Sequence, residues 1–338
     1  MRNLVLSLCL ICCAGFAAAL EIEDNQRFGP ETAAVELRLL STADTRFFAP
    51  MIVSFLEDNP DVAIDYTVAS SAEVMAAIQS GDHAFDLAIS SAMDLQTKLA
   101  NDGLAQRHIS DATEALPDWA IWNDMLFAFT QEPATIVVSK RAFDEKSIPQ
   151  NRQDLISLLR QSPERFRGRI GTYDVRGSGL GYLFATQDTR ASETYWRLTE
   201  VLGSLDAKLY CCSSDMIEAV KTGELLIAYN VLGSYVVNRE DAEEFAIVLP
   251  DDFTTVMLRT ALIPKGASRP EMAGTFVDHM MRRAHGSGGA RLTHPDLSLD
   301  TRVTALNRIR IGPGLLVFLD QLKRQAFLTE WESAILQE

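Results

Sequence analysis

The strongest constraint on this chain is an alternation that runs its course and then begins again. "VELRLL" (35–40) reads as a strand and "FFAPMIVSFLED" (47–58) as a helix, kinked or started by Pro50. "DVAIDYTV" (61–68) is again a strand, "AEVMAAIQS" (72–80) a short helix closed by Gly81, and "DLAIS" (86–90) a third strand. This βαβαβ order predicts an open, mostly parallel α/β sheet. "TIVVSK" (135–140), behind Pro133, predicts a crossing into a second unit. There the pattern restarts, with strands at 169–175 and 225–230 and helices from 181, over 195–203 and over 215–223. "FAIVLP" (245–250) and "TVMLRTALIP" (255–264) read as strands, the second returning the chain to the first unit. "EMAGTFVDHMMRRA" (271–284) is then a helix, and a Gly-rich polar loop leads to one amphipathic helix over 315–335. The expected fold class is α/β with two lobes, each an open, mostly parallel sheet flanked by helices, joined by hinge strands. Lobe 1 is expected over 20–134 plus 260–338, with the C-terminal helix, and lobe 2 over 135–259.

The N-terminus sets the expected compartment. Arg2 precedes "LVLSLCLICCAGFAAAL", which ends in small residues, with Ala17 and Ala19 fitting an A-x-A cleavage site. This predicts a signal peptide over 1–19 and export to the periplasm. The alternatives are a membrane anchor, for which the run falls short of the roughly 20 residues that span a bilayer, and a lipoprotein signal, for which no cysteine follows the small-residue pair. Removing it leaves 338 − 19 = 319 residues, more than one core usually covers. It also takes one Arg and no acid from a net charge of −15, giving −16, so a general nucleic-acid role is not expected. Two cysteines then remain, Cys211 and Cys212. They read first as two small buried side chains; in an oxidising compartment a vicinal disulfide is the alternative. The five histidines, at 83, 108, 279, 285 and 294, are scattered and form no zinc pattern.

In open α/β sheets ligands bind beyond the carboxyl ends of the strands. Here those segments are "STADTR" (41–46), "ASSAE" (69–73), "SSAMD" (90–94), "RGSGLG" (176–181), "CCSSD" (211–215) and "YNVLGSY" (229–235). Each serine alone is a plain helix cap, worth ~1 kcal/mol. Several helix N-termini aimed at one cleft make an anion site without many basic residues. The glycines around Ser178 match neither a dinucleotide fingerprint, since position 182 is Tyr182, nor a G-x-S-x-G elbow, since position 176 is Arg176. The stretch reads as strand, turn and helix start, with Ser178 as cap and Gly179 beside it. Arg176 is either a bidentate anion partner or a surface ion pair. Tyr229 and Tyr235 follow a strand, with Asn230 beside the first, and are packing residues or phenolate ligands for ferric iron. Asp44, Asp86 and Asp251 are candidate carboxylates for such a site by position. A weak echo links 70–90 with 213–230: a serine pair, a short helix, a closing glycine and a strand.

Taken in order, "GDHAFDLAISSAMDLQTKLANDGL" (81–104), "FTQEPATIVVSKRAF" (129–143), "RGSGLGYLF" (176–184), "TGELLIAYNVLGSY" (222–235) and "PEMAGTFVDHMM" (270–281) resemble type II periplasmic solute-binding proteins of ABC importers. The branch is the one that includes ferric-iron and phosphonate or sugar-phosphate binders. The resemblance covers most of 35–284 and implies two lobes closing on a ligand. By position it implies Thr42, Ser71, Ser91, Ser178, Ser214 and Tyr229 as cleft residues; Arg176, Gly179 and Asn230 complete the candidate set read from the residues themselves. Iron-binding members have adjacent tyrosines, whereas Tyr229 and Tyr235 are six apart. The expected function is therefore capture of a small anionic organic solute by a monomer, without cofactor or catalysis. The reader of the closed form is an inner-membrane permease, or a sensor kinase's periplasmic domain. The alternatives are ferric-iron binding, or a secreted serine hydrolase using Ser178.

Overall fold

The computed structural model describes residues 20–81, 84–143, 147–237, 239–286 and 306–337. The expected signal peptide, with Cys9, Cys12 and Cys13, lies outside them, as do His83, His294 and most of the Gly-rich loop. The first run of elements is β1 (Ile22–Phe28), β2 (Val35–Ser41), α1 (Thr45–Asp58), β3 (Val62–Ala69), α2 (Ser71–Ser80), β4 (Leu87–Ser90) and α3 (Met93–Asn101). Next come β5 (Ala105–Gln106), α4 (Asp111–Glu114), β6 (Ile121–Trp122) and β7 (Leu126–Ala128). The second run is β8 (Glu132–Ser139), α5 (Arg152–Gln161), α6 (Pro163–Phe166), β9 (Ile170–Tyr173), α7 (Gly179–Ala191), α8 (Thr194–Ser204) and β10 (Lys208–Tyr210). It continues with α9 (Ser213–Thr222), β11 (Ile227–Leu232), α10 (Ser234–Val237), β12 (Phe245–Val248) and β13 (Thr254–Met257). The chain ends with β14 (Thr260–Pro264), α11 (Pro270–His285), β15 (Leu306–Arg308) and α12 (Gln321–Ile335).

Two sheets result. The first has the order β1-β3-β2-β4-β14-β7-β6 and the second β10-β9-β11-β8-β13-β15. β2 pairs parallel with β3 and β4, and β9 parallel with β10 and β11, as the alternating pattern requires. The crossing strands run the other way: β8 is antiparallel to β11 and β13, and β14 to β4. The chain passes from β7 to β8 at Phe129–Gln131 and returns from β13 to β14 at Leu258–Arg259, and Phe129 N–H donates to the Arg259 carbonyl (3.1 Å). Two adjacent connections thus join the lobes.

The sequence reading missed β1. Its segment, IEDNQRF, is almost wholly exposed and does not alternate apolar with polar residues. It is held at the sheet edge by an antiparallel ladder to β3. The tail also differs from one helix. A 3₁₀ turn at Pro313–Leu319 ends at Asp320, whose side chain accepts from Lys323 N–H and starts α12. α12 packs on α8, burying Phe327, Trp331 and Ile335 with Tyr195, Leu198 and Leu202 of lobe 2. The helix expected with lobe 1 therefore lies on lobe 2, because its i, i+4, i+8 apolar stripe finds that core. Among the described residues, no helix is long and apolar enough to cross a membrane.

Candidate functional site

Five helices begin at one cavity. α1 follows Thr42 and Asp44, α2 follows Ser70, and α3 follows Ser91; these come from the first sheet. α7 follows Ser178 and α9 follows Cys212, both from the second. Residues from all five starts line a cavity of about 90 Å³ between the sheets. Each N-terminus brings N–H groups lacking an intrahelical partner and the positive end of a helix dipole. A larger, open groove of about 890 Å³ runs between α8 and α12 and is lined by residues of α5, α8, α12 and Gln337.

Local chemistry explains each turn. Ser70 and Ser178 cap their helices, accepting from Glu73 N–H (3.2 Å) and Gly181 N–H (3.1 Å). α2 and α9 both end on left-handed glycines, Gly81 (φ +67°) and Gly223 (φ +78°), so the echo in the sequence is the same helix built twice. Its N-terminal ends differ. α9 has no side-chain cap, and Cys211 and Cys212 are joined as a disulfide rather than buried as separate thiols; Cys211 is exposed and both line the cavity. Ser71 of lobe 1 reaches across the cleft and accepts from Gly179 N–H of lobe 2 (3.1 Å). A Cβ at Gly179 would stand 2.3 Å from the Ser71 oxygen, so this approach requires glycine.

The floor of the cavity is a charged cluster. Arg259, between β13 and β14, is fully buried, as is Glu132. The Arg259 Nε donates to Glu132 Oε1 (3.1 Å), and Thr130 and Ser234 hydroxyls donate to the two Glu132 oxygens (2.8 and 2.7 Å). Arg259 Nη1 points to Thr42 Oγ1 (3.5 Å), which also accepts from Ser91 N–H (3.1 Å). The guanidinium lies 5.5 Å from the Phe47 ring centroid, and Phe47 stacks on Tyr235. Burial pushes the Tyr235 hydroxyl up to about 12, with Arg259 pulling the other way. Glu23 and Asp44 also line the cavity. Burial raises both carboxyls; Asp44 raises Glu23 further, while Arg259 opposes the rise at Asp44.

The candidates read from the sequence separate into two groups. Thr42, Ser71, Ser91, Ser178 and Ser214 come together at the cavity. Tyr235 joins them, whereas Tyr229 does not. Tyr229 and Asn230 lie inside lobe 2, where the Tyr229 hydroxyl and Asn230 Nδ2 donate to Asp188 Oδ2 (3.1 and 2.9 Å). Arg152 donates its Nε to the Tyr229 hydroxyl (2.9 Å) and its Nη2 to Asp188 (3.3 Å). Arg176 turns to Asp174, bonding it through Nε and Nη2 (2.8 and 2.6 Å), so the fork meets a carboxylate of the same turn. Of the carboxylates, Asp44 is at the cavity. Asp86 accepts from the Arg38 and Arg269 backbone amides, and Asp251 from Asn151. Among the described residues no histidine lines the cavity, and the Ser178 oxygen is engaged as a cap. The reading from sequence missed Arg259 and Glu23. A lone arginine between the two apolar halves of "TVMLRTALIP" was the available signal for the first; the second sits on the strand that was not recognised.

The family model for bacterial extracellular solute-binding proteins matches residues 37–284. No curated protein matches the chain in sequence. Among solved structures, the substrate-binding protein of an ABC transporter from Agrobacterium tumefaciens is 32% identical, with TM-score 0.85 over 93% of this chain and 98% of that one. AfuA from Actinobacillus pleuropneumoniae, a periplasmic binding protein with fructose-6-phosphate bound, is 16% identical (TM-score 0.71; 90% and 100% covered). Iron-bound HitA from Pseudomonas aeruginosa is also 16% identical (TM-score 0.69; 89% and 99% covered). At these identities the last two carry the fold alone.

Proposed function

The chain belongs to the bacterial extracellular solute-binding proteins, and from that premise we propose that it captures a small organic anion in the cavity between its sheets. The solute is a phosphate ester, a phosphonate or a carboxylate. The observation that carries this reading is the convergence of five helix starts from both lobes on one cavity floored by Arg259. Anions bind such N-termini through backbone N–H groups and the dipole. Glu132 takes part of the Arg259 charge, and the Nη1 edge faces Thr42 at the cavity wall. Glu23 and Asp44 add acceptors, so the favoured anion also carries hydroxyl groups that donate to them. A hydroxylated phosphate ester meets both demands.

Capture works by differential affinity. A solute that touches N-termini of both lobes binds the closed arrangement better than any open one, and that difference is the whole driving force for closure. The closed form, in the periplasm and as a monomer, is then read by an ABC permease in the inner membrane; the Agrobacterium neighbour is itself the substrate-binding protein of an ABC transporter. The alternative reader is a sensor kinase's periplasmic domain.

A thermal-shift and calorimetric panel tests the reading, using fructose 6-phosphate, glycerol 3-phosphate, methylphosphonate, citrate and their uncharged parents. A ligand at 100 times its Kd should stabilise the fold by ~2.7 kcal/mol. Stabilisation by an uncharged parent but by none of the anions would end it. Ferric iron is the second reading, favoured by Tyr235, Asp44 and Glu23 meeting at one cavity as hard oxygen ligands. It predicts a visible tyrosinate-to-iron band on adding ferric citrate, lost in Tyr235→Phe and kept in Tyr229→Phe.

A further inference from the structure

A second cavity, of about 290 Å³, lies beside the first at the seam between the lobes. Gly177 and Ser178 form the wall the two cavities share. Lobe 1 contributes α2 and α3, lobe 2 the turn before α7, and the C-terminal segment closes the remaining side. Its apolar lining is Met75, Leu95, Val175, Tyr182 and Leu319. Into this lining is set Asp94, 3% exposed, whose Oδ1 has no hydrogen-bond partner among the described residues. A carboxylate buried with one oxygen lacking a donor is costly to keep ionised, and a cation that reaches the carboxyl group from the cavity offsets that cost.

The rim adds the opposite sign. Lys98 and Arg176 also line the cavity, but each is paired, with Asp102 (2.5 Å) and Asp174 (2.6 Å) respectively. Arg324 of α12 is exposed, lies 5.3 Å from the Tyr182 ring centroid, and has no carboxylate partner among the described residues. A cavity with an incompletely satisfied carboxylate inside, an apolar lining and a guanidinium without a carboxylate partner at its mouth is complementary to one kind of molecule. We propose that this is a second binding site, for a small zwitterion that carries an ammonium and a carboxylate on an apolar skeleton. The ammonium donates to Asp94 and the carboxylate meets Arg324. Because both lobes form the walls, an occupant favours the closed form, and by linkage its affinity and that of the solute in the first cavity rise together.

Protonation gives the site a pH signature. Burial pushes the Asp94 carboxyl up to about 7, opposed by its neighbouring backbone N–H groups and by Arg324. The groups facing it are Lys98 on its own helix, Arg176 from the turn before α7, Tyr182 of α7 and Arg324 of α12. An ammonium needs the ionised carboxylate, so affinity is present above about 7 and lost as pH falls through it.

Titration calorimetry with the full-length mature protein tests the proposal. The probes are 5-aminovalerate and L-leucine, with pentylamine and pentanoate as single-charge controls. At least one zwitterion should bind saturably and more tightly than either control. Asp94→Asn should weaken it tenfold or more, and Thr42→Ala with Ser214→Ala in the first cavity should leave it unchanged. Arg324 is on the surface, so Arg324→Glu keeps the fold and should weaken binding severalfold even if the Asp94 variant fails to fold. Failure of both zwitterions to bind at millimolar concentration would overturn the site. So would undiminished binding in Arg324→Glu, or loss of binding only in the first-cavity variant.

Discussion

Two arginines are wholly buried among the described residues, and comparing their surroundings separates scaffold from site. Arg152 is enclosed in lobe 2. Its guanidinium donates to the Tyr229 hydroxyl, to Asp188, to Asp252 Oδ1 (3.0 Å) and to the Phe253 carbonyl (2.7 Å). Asp188 in turn accepts from Tyr229, Asn230 and Thr255. Every strong donor and acceptor in this cluster is used internally. Arg259 is equally buried but pairs with one carboxylate, Glu132, rather than two; it sits where the chain passes between lobes, and one edge meets Thr42 only at 3.5 Å, at the cavity wall. Burial and pairing alone therefore do not mark a functional charge; an incompletely used edge facing a cavity does.

The largest expected effect breaks the scaffold half of this comparison. Asp188→Ala takes from Arg152 its wholly buried carboxylate, leaving only the partly exposed Asp252, and strands the donors of Tyr229, Asn230 and Thr255; breaking such a buried pair costs about 3–5 kcal/mol. Urea denaturation should show the loss, while the folded fraction binds solute with unchanged affinity. The site half responds in the opposite way. Arg259→Lys keeps a cation for Glu132 but loses the planar fork. Solute affinity should fall roughly 10- to 100-fold, the worth of a charge-assisted hydrogen bond at ~1.5–3 kcal/mol, with a much smaller change in melting temperature. If both variants lose stability and neither loses affinity, the distinction between the two arginines is false.

The tyrosines sharpen it further. Tyr229→Phe should cost about 1 kcal/mol or somewhat more of stability, having left a buried polar cluster one hydroxyl short, without touching affinity. The smallest expected effect is electrostatic. Burial, then Asp44, raise the Glu23 carboxyl, so lowering pH from 7 towards that raised range neutralises it and removes repulsion. A sulfonate probe of fixed charge should bind a few-fold more tightly at the lower pH. Glu23→Gln should shrink the gain to the part that Asp44, also raised by burial, supplies, and an unchanged profile would remove Glu23 from the site.

Much of this was legible in the sequence, for physical reasons that differ by element. The strands β2 to β4, β9 and β11 announce themselves because both faces of a parallel sheet are covered, and their residues form apolar runs; β10, three half-exposed residues, does not. Ser70, Ser178 and the closing glycines 81 and 223 are local signals, and each acts where its own backbone needs it. β1 was not legible, because an exposed edge strand leaves no apolar period. Tyr229 and Asn230 were placed at the cleft because their strand ends near it. Which way a side chain faces at such an end depends on register, and β11 has an irregularity between Tyr229 and Val231, where Asn230 takes φ +63°. Arg259 was hidden for the converse reason: its role exists only where two distant crossing strands meet.

The central claim is that an anion is held between the lobes by helix starts and Arg259. Native mass spectrometry of the mature protein, purified from periplasm without refolding, tests it most directly, with wild type beside a Thr42→Ala, Ser214→Ala, Arg259→Lys variant. The wild type should carry a mass increment that dissociates as a small organic anion, and the variant should carry little or none. A retained neutral or cationic solute, or an anion held equally by both proteins, would contradict the account.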